Sequence, residues 1–237
     1  SHLRVLESVL LCHFQSHLLT EAPHAAPVLA SFAAMATGVE TKSSITLKGS
    51  VEIVSEFFDY SINSILYQRG IYPPESFKRV SKYGLAMLVT TEPGLVTYLK
   101  SVLEQLKEWL AKGNVQKLVI AVTGQSTNET LERWVFEVQT DSAAVGANGT
   151  VDKPEKEVMS EIQAIIRQIT ASVTFLPLLD EPCTFDLLVY TDDDVEVPKA
   201  WEESDPKYIA NSDEVKLRSF TTKVHKVDAS VTYKADP

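Results

Sequence analysis

Between residues 51 and 70 the apolar side chains fall in two adjacent rows at four-residue spacing: Ile53, Phe57 and Ile65 in one, and Val54, Phe58, Ile62 and Leu66 in the other, with Ser61 the single gap. Two neighbouring rows make a face too wide for a helix lying on a surface, so this helix has to be covered by other elements and belongs at the centre of the fold. Gly49-Ser50 reads as its turn and N-cap, Gly70 as its end, and Ile45-Thr46-Leu47 as a short extended segment before it. The covering elements follow along the chain. A second helix, from Thr91-Glu92-Pro93 to Gly113, carries Leu95, Leu99, Val102, Leu103, Leu106, Trp109 and Leu110 at helical spacing. A third, starting near Pro154, carries Val158, Ile162, Ile165, Ile166 and Ile169. Strand-like runs cover residues 77–90, 118–122, 134–140, 173–178 and 185–191, and the Val- and Thr-rich stretch 220–233, interrupted at Asp228, reads as a hairpin. Helices and strands interleave without a regular βαβ repeat, which predicts the α+β class: three helices packed on a largely antiparallel sheet.

The chain of 237 residues suits one ordinary domain, and its charge is unevenly placed. Residues 180–214 hold twelve acids against Lys199 and Lys207, a local balance of −10 that equals the net charge of the whole chain. A surface that binds nucleic acid through its phosphates needs the opposite sign, so no nucleic-acid partner is expected. No apolar run approaches the roughly 20 residues of a membrane span, and no membrane partner is expected. Residues 1–34 form a compositional break, with four of the five histidines and no lysine; the first methionine, Met35, reads as the natural start. Residues 1–34 are therefore expected to be a non-native or disordered extension, and 35–237 the domain.

The residues for catalysis are missing. The nine glycines match neither a Walker loop nor a dinucleotide loop, so no cofactor is expected. Cys12 and Cys183 supply neither a disulfide framework nor a zinc site, and Asp192-Asp193-Asp194 lacks the alternating ligands of a calcium loop, which leaves a solvated turn and no metal. Cys183 with His225 is the one nucleophilic pair that a hydrolase reading can use. A lone cysteine is more often a small core residue, and His225, beside lysines, reads as a surface or half-buried strand residue. No enzyme is expected and no residue is assigned a catalytic role. Residues 142–153 read as a surface loop. Trp201 stands inside the acidic segment, where a large ring needs cover.

Several long runs carry a resemblance: residues 45–50 (ITLKGS), 62–73 (INSILYQRGIYP), 131–134 (LERW), 165–170 (IIRQIT), 174–179 (TFLPLL), 201–204 (WEES) and 217–222 (LRSFTT). Over about residues 40–234 the chain closely resembles the spindle-checkpoint branch of the HORMA-domain family. The resemblance implies a binding switch. Its members take an open and a closed fold, and in the closed one a mobile C-terminal belt, here within 180–237, wraps a partner peptide that pairs with an exposed strand.

By this resemblance residues 185–191 receive the peptide, with Phe185, Leu187, Val189 and Tyr190 offering side chains, and Trp201 is a belt residue. Leu47 is a switch residue on an N-terminal strand that leaves its edge when the belt arrives. Arg167, Gln168, Phe175 and Arg218 form the surface that joins an open to a closed copy. The implied function is a spindle assembly checkpoint adaptor that clamps a peptide and inhibits the activator of the anaphase-promoting ubiquitin ligase. It is recruited by a coiled-coil kinetochore protein and found in the nucleus, at kinetochores in mitosis, and in the cytoplasm. A related alternative is the HORMA subunit of a translesion DNA polymerase.

Overall fold

Helix α1 spans Leu47–Gln68 and buries Val54, Phe57, Phe58, Ile62, Ile65 and Leu66 completely, as its double apolar row requires. The computed structural model describes residues 2–5, 44–143, 151–192 and 195–235. The helix begins earlier than its sequence predicts: Thr46, extended at φ −84° and ψ 164°, is the N-cap, and its hydroxyl accepts the Gly49 N–H at 3.0 Å. Ser50 does not cap. It lies inside the first turn, fully buried. Leu47 is correspondingly the first helical residue and not part of a strand; only Ser44–Ile45 (β2) is extended here, paired with Val151–Asp152 (β7). Most of the predicted 142–153 loop, residues 1 and 6–34 of the predicted 1–34 extension, and residues 35–43 lie outside the described residues.

A hairpin follows, β3 (Phe77–Lys82) and β4 (Leu85–Thr90), which divides the predicted run 77–90 at Tyr83-Gly84. Both turn residues have positive φ, 52° and 67°, as a two-residue primed turn demands. Helix α2 (Pro93–Lys112) starts at a proline, takes its cap from Glu92 Oε2 accepting the Leu95 N–H at 2.9 Å, and stops at Gly113 with φ 76°. Strands β5 (Val115–Gly124) and β6 (Thr130–Thr140) precede β7, and helix α3 (Glu155–Ala171) follows it.

The predicted strand 173–178 does not form. Ser172–Thr174 is a 3-10 turn in which Ser172 O accepts from the N–H groups of Phe175 and Leu176, and Pro177 has no N–H to give a ladder. The chain continues through β8 (Cys183–Thr191), β9 (Glu202–Glu203), β10 (Ser212–Thr221) and β11 (His225–Lys234). The last two form a hairpin, but not the predicted one: most of 220–233 is the single strand β11, its partner β10 precedes that run, and the turn lies at residues 222–224, not at Asp228. Lys223 takes φ 68°, and the Thr222 hydroxyl accepts the N–H groups of Val224 and His225. Asp228 lies within β11, paired with Ser219 beside a bulge in β10 between Lys216 and Ser219.

Among the described residues one antiparallel sheet in the order β10-β11-β6-β5-β8-β1-β9 carries all the long strands, with β1 at His2–Val5. The core belongs to one face, where Leu118, Ile120, Trp134, Phe136, Leu187, Val189 and Val231 join the helices. Val119, Ala121, Leu188 and Tyr190 make a smaller cluster on the other face.

A buried ion pair ties the end of α1 to this sheet. Arg69 Nη2 lies 2.5 Å from Glu132 Oε1, with the side chains 5% and 2% exposed, and it also donates to Pro177 O. Trp134 Nε1 donates to Glu132 Oε2 at 3.2 Å. Burial raises the Glu132 pKa above its ordinary range despite the opposing pull of Arg69, so desolvation of the carboxylate exceeds what its partner returns. Such a pair is costly to break by halves. Glu132→Ala, which strands the guanidinium, is expected to destabilise by about 3–5 kcal/mol, whereas Arg69→Met with Glu132→Leu is expected to lose less than either single change. Urea unfolding of the three variants measures this.

Candidate peptide-binding edge

Without β1 and β9, β8 is the last strand on its side of the sheet, and its outer row of N–H and C=O groups needs partners. β1 supplies them, antiparallel, with His2 opposite Thr191, Leu3 opposite Tyr190, Arg4 opposite Val189 and Val5 opposite Leu188. Beyond it, Arg4 and Val5 also pair with Glu203 and Glu202 of β9. A strand seated here is therefore bonded on both sides.

The route of the chain encloses that seat. Residues 195–201 lie beside the core, where Val195 and Val197 pack and the Trp201 ring meets Trp109 edge-on at 4.9 Å. Trp201 is 7% exposed, so the cover its sequence context calls for is Trp109 at the end of α2. From β9 at one edge the chain then reaches β10 at the opposite edge through residues 204–211. Six strand spacings separate those edges, about 29 Å at about 4.8 Å each. The nine Cα steps from Glu203 to Ser212 reach about 30–32 Å fully extended. The crossing is not fully extended, since Lys207 and Asn211 take positive φ, 53° and 56°, and bend it. It runs over the face opposite the helices: Lys207 Nζ is 3.7 Å from Asp186 Oδ2, and the Arg133 guanidinium stands 4.8 Å from the Tyr208 ring centroid.

The residues of β8 play unequal parts. Phe185 is half-buried, its ring edge-on to Tyr72 and Tyr98. Leu187 and Val189 are fully buried in the main core, and Tyr190 is buried on the opposite face. Arg133 Nη2 donates to the Tyr190 hydroxyl at 3.4 Å and Lys117 stands over its ring, while burial raises the Tyr190 pKa. What β8 presents at its edge is chiefly main chain. Arg167, Gln168 and Arg218 lie together on α3 and β10: Gln168 Oε1 accepts the Arg218 N–H at 2.7 Å, and Arg167 and Arg218 are exposed around a hollow of about 330 Å³. Phe175, just after α3, is 43% exposed.

Cys183 and His225 do not meet. The Cys183 thiol donates to Glu181 O, and burial pushes its pKa up to about 11, away from a thiolate. His225 is fully buried, contrary to the surface or half-buried position its lysine neighbours suggest. Its Nε2 faces Leu110 O at 3.2 Å, which only accepts, so that nitrogen carries the proton; Nδ1 then accepts from the Ser50 hydroxyl at 2.6 Å. Ser50 in turn takes the Thr222 hydroxyl proton at 2.6 Å. This chain of three hydrogen bonds locks the β10–β11 turn onto the start of α1 and the end of α2. Ser50 and Thr222 lie inside the runs ITLKGS and LRSFTT, which mark both positions but not their hydrogen bonds to His225. Of the acidic turn 192–194, Asp193 and Asp194 lie outside the described residues. Among the described residues no group of acids, histidines or cysteines is placed to hold a metal ion.

The family model of the HORMA domain matches residues 50–225. The chain belongs to the HORMA-domain family. It is 64% identical over 200 residues to the mitotic spindle assembly checkpoint protein MAD2A of Dictyostelium discoideum, covering 84% of this chain and 98% of that protein. It is 56% identical to human MAD2A over the same shares. A solved chain in the crystal structure of a mitotic checkpoint complex superposes with a TM-score of 0.73 and 48% identity, over 79% of this chain and 99% of that one. The DNA polymerase zeta processivity subunit of Schizosaccharomyces pombe is only 29% identical, over 70% of this chain.

Burial depresses the His225 pKa below 6.5, with the Leu110 carbonyl pulling weakly the other way. The unfolded chain protonates near 6.5 and the folded one resists, so the stability due to the neutral ring is present above about pH 6.5 and is lost as pH falls below it. Unfolding measured from about pH 8 to pH 5 is expected to show this loss, and His225→Gln is expected to flatten the decline.

Proposed function

We infer that this HORMA-domain protein is a spindle assembly checkpoint adaptor that closes around a partner peptide and thereby inhibits the activator of the anaphase-promoting ubiquitin ligase. The observation that carries the reading is the enclosed seat at β8: its occupant is paired on both sides, and the enclosing segment is anchored at both edges of the sheet. Closure here brings β11 beside β6, with Leu47 in helix rather than strand, which suits the closed member of an open-closed pair. Inhibition by sequestration requires no bond to be made or broken. The proposed partners are a coiled-coil kinetochore protein that recruits the domain, the activator, and a second copy in the open state. The proposed sites of action are the nucleus, the kinetochore in mitosis, and the cytoplasm. The working domain on this reading is 35–237.

Arg167, Gln168, Phe175 and Arg218 suit the open-closed contact because they sit on exposed parts of α3, the turn after it and β10, away from β8. Hot spots of this kind are often arginine and aromatic side chains. The 29% identity to the polymerase subunit, against 64% to the checkpoint protein, makes the repair reading the weaker one.

Two outcomes follow. Arg167→Glu is expected to abolish self-association in size-exclusion chromatography while leaving calorimetric binding of an activator peptide intact; an unchanged dimer or lost peptide binding overturns the dimer role. The net −10 of residues 180–214 is expected to steer a basic partner, so its association rate falls between 0.1 M and 1 M salt, where the Debye length shrinks from about 10 Å to about 3 Å, while dissociation changes little. Stopped-flow mixing separates the two rates. Failure of the full chain to inhibit activator-dependent ubiquitination in a reconstituted assay overturns the function itself.

A further inference from the structure

We propose that His2–Val5 of this chain is an internal ligand of its own clamp, seated where a partner peptide binds and competing with it. The inference rests on the clamp reading above. Its evidence is the position of β1 in the sheet. β1 is not appended to an edge: Arg4 pairs with Val189 on one side and Glu203 on the other, and Val5 with Leu188 and Glu202. Among the described residues β1 is also the only strand partner of β9, so the two-residue strand that closes the seat exists because something occupies it. The composition suits the place. His-Leu-Arg-Val contains no glycine or proline, and Arg4, the only Lys or Arg in the first 41 residues, falls in register with an acid of a segment that carries −10.

The tether allows it. Thirty-eight residues separate Val5 from Ser44, a contour of about 130 Å at most, several times the radius of a domain this size, so its length does not prevent seating in cis. A ligand on the same chain acts at an effective concentration that a free peptide must exceed. Binding of any partner is then weakened by the fraction of seats left empty.

The test uses the full chain and a variant with Leu3→Pro and Arg4→Pro. Successive amides of a strand point to opposite neighbours, so two adjacent prolines remove an N–H toward each flanking strand. The probe is a fluorescent peptide of residues 1–10 of this chain, added in trans. Faster hydrogen exchange at the edge-facing amides of Leu188–Thr191 and at Glu202–Glu203 is expected in the variant, together with about tenfold or more tighter binding of the probe than by the unaltered chain. Unchanged exchange overturns the proposal. So does protection in the unaltered chain that grows with protein concentration, because the seat is then filled by a second copy. Faster exchange without probe capture upholds occupancy and overturns the clamp reading, which keeps the two failures distinguishable.

Discussion

The short reach of residues 204–211 is the constraint on which the remaining architecture depends. That segment of eight residues joins two opposite edges of one sheet, so β9 and β10 are coupled through a short covalent connection. The edge at β8 alone would be an open invitation to any extended chain. Capped by β9, it becomes a selective seat, since an occupant must satisfy two ladders and fit beneath the segment that joins β9 to β10.

The far anchor has to be strong for the same reason. β10 and β11 bury Phe220, Val227 and Val231 in the main core, and the Thr222–Ser50–His225–Leu110 hydrogen bonds fasten their turn to two helices. The near anchor is lighter, consisting of the Trp201–Trp109 contact, the partly buried Val195 and Val197, and two residues of strand. An asymmetry of this kind lets the lighter end yield while the heavy end holds. Elsewhere the polar interior is held in a similar way: Arg69 and Glu132 are tolerated inside because each faces the other, with Pro177 O accepting from Arg69 Nη2 and Trp134 Nε1 donating to Glu132 Oε2, although Arg69 Nε has no hydrogen-bond partner.

Much of this was readable from residues, and the limits of that reading have physical causes. The breadth of the Ile53 and Val54 rows placed α1 at the centre, and Pro93, Gly113 and Pro154 set the ends of α2 and α3 closely because they act through local backbone geometry. Residues 173–178 misled because Val-Thr-Phe-Leu has strand propensity while Ser172 and Pro177, which decide the matter, act through hydrogen bonds that propensity does not register. The hairpin turn was misplaced because Lys223, not a glycine, takes the left-handed conformation. His225 looked exposed beside Lys226, yet its burial depends on Ser50 and Leu110, more than a hundred residues away. At the seat, the resemblance indicated the receiving strand, but the main-chain character of its edge follows only from Leu187 and Val189 being spent in the core. Nothing local in His2–Val5 announces a partner in Thr191.

The loop that closes over β1 also bears on the order in which the chain is made. To pull an end through a loop already shut is a slow and rarely used route to a native structure. Synthesis runs the other way here: β1 leaves the ribosome before β8, and β10 and β11 after both. The amino-terminal strand can be laid against β8 while the carboxyl end is still unattached, and the hairpin then docks over it. Nothing has to be threaded.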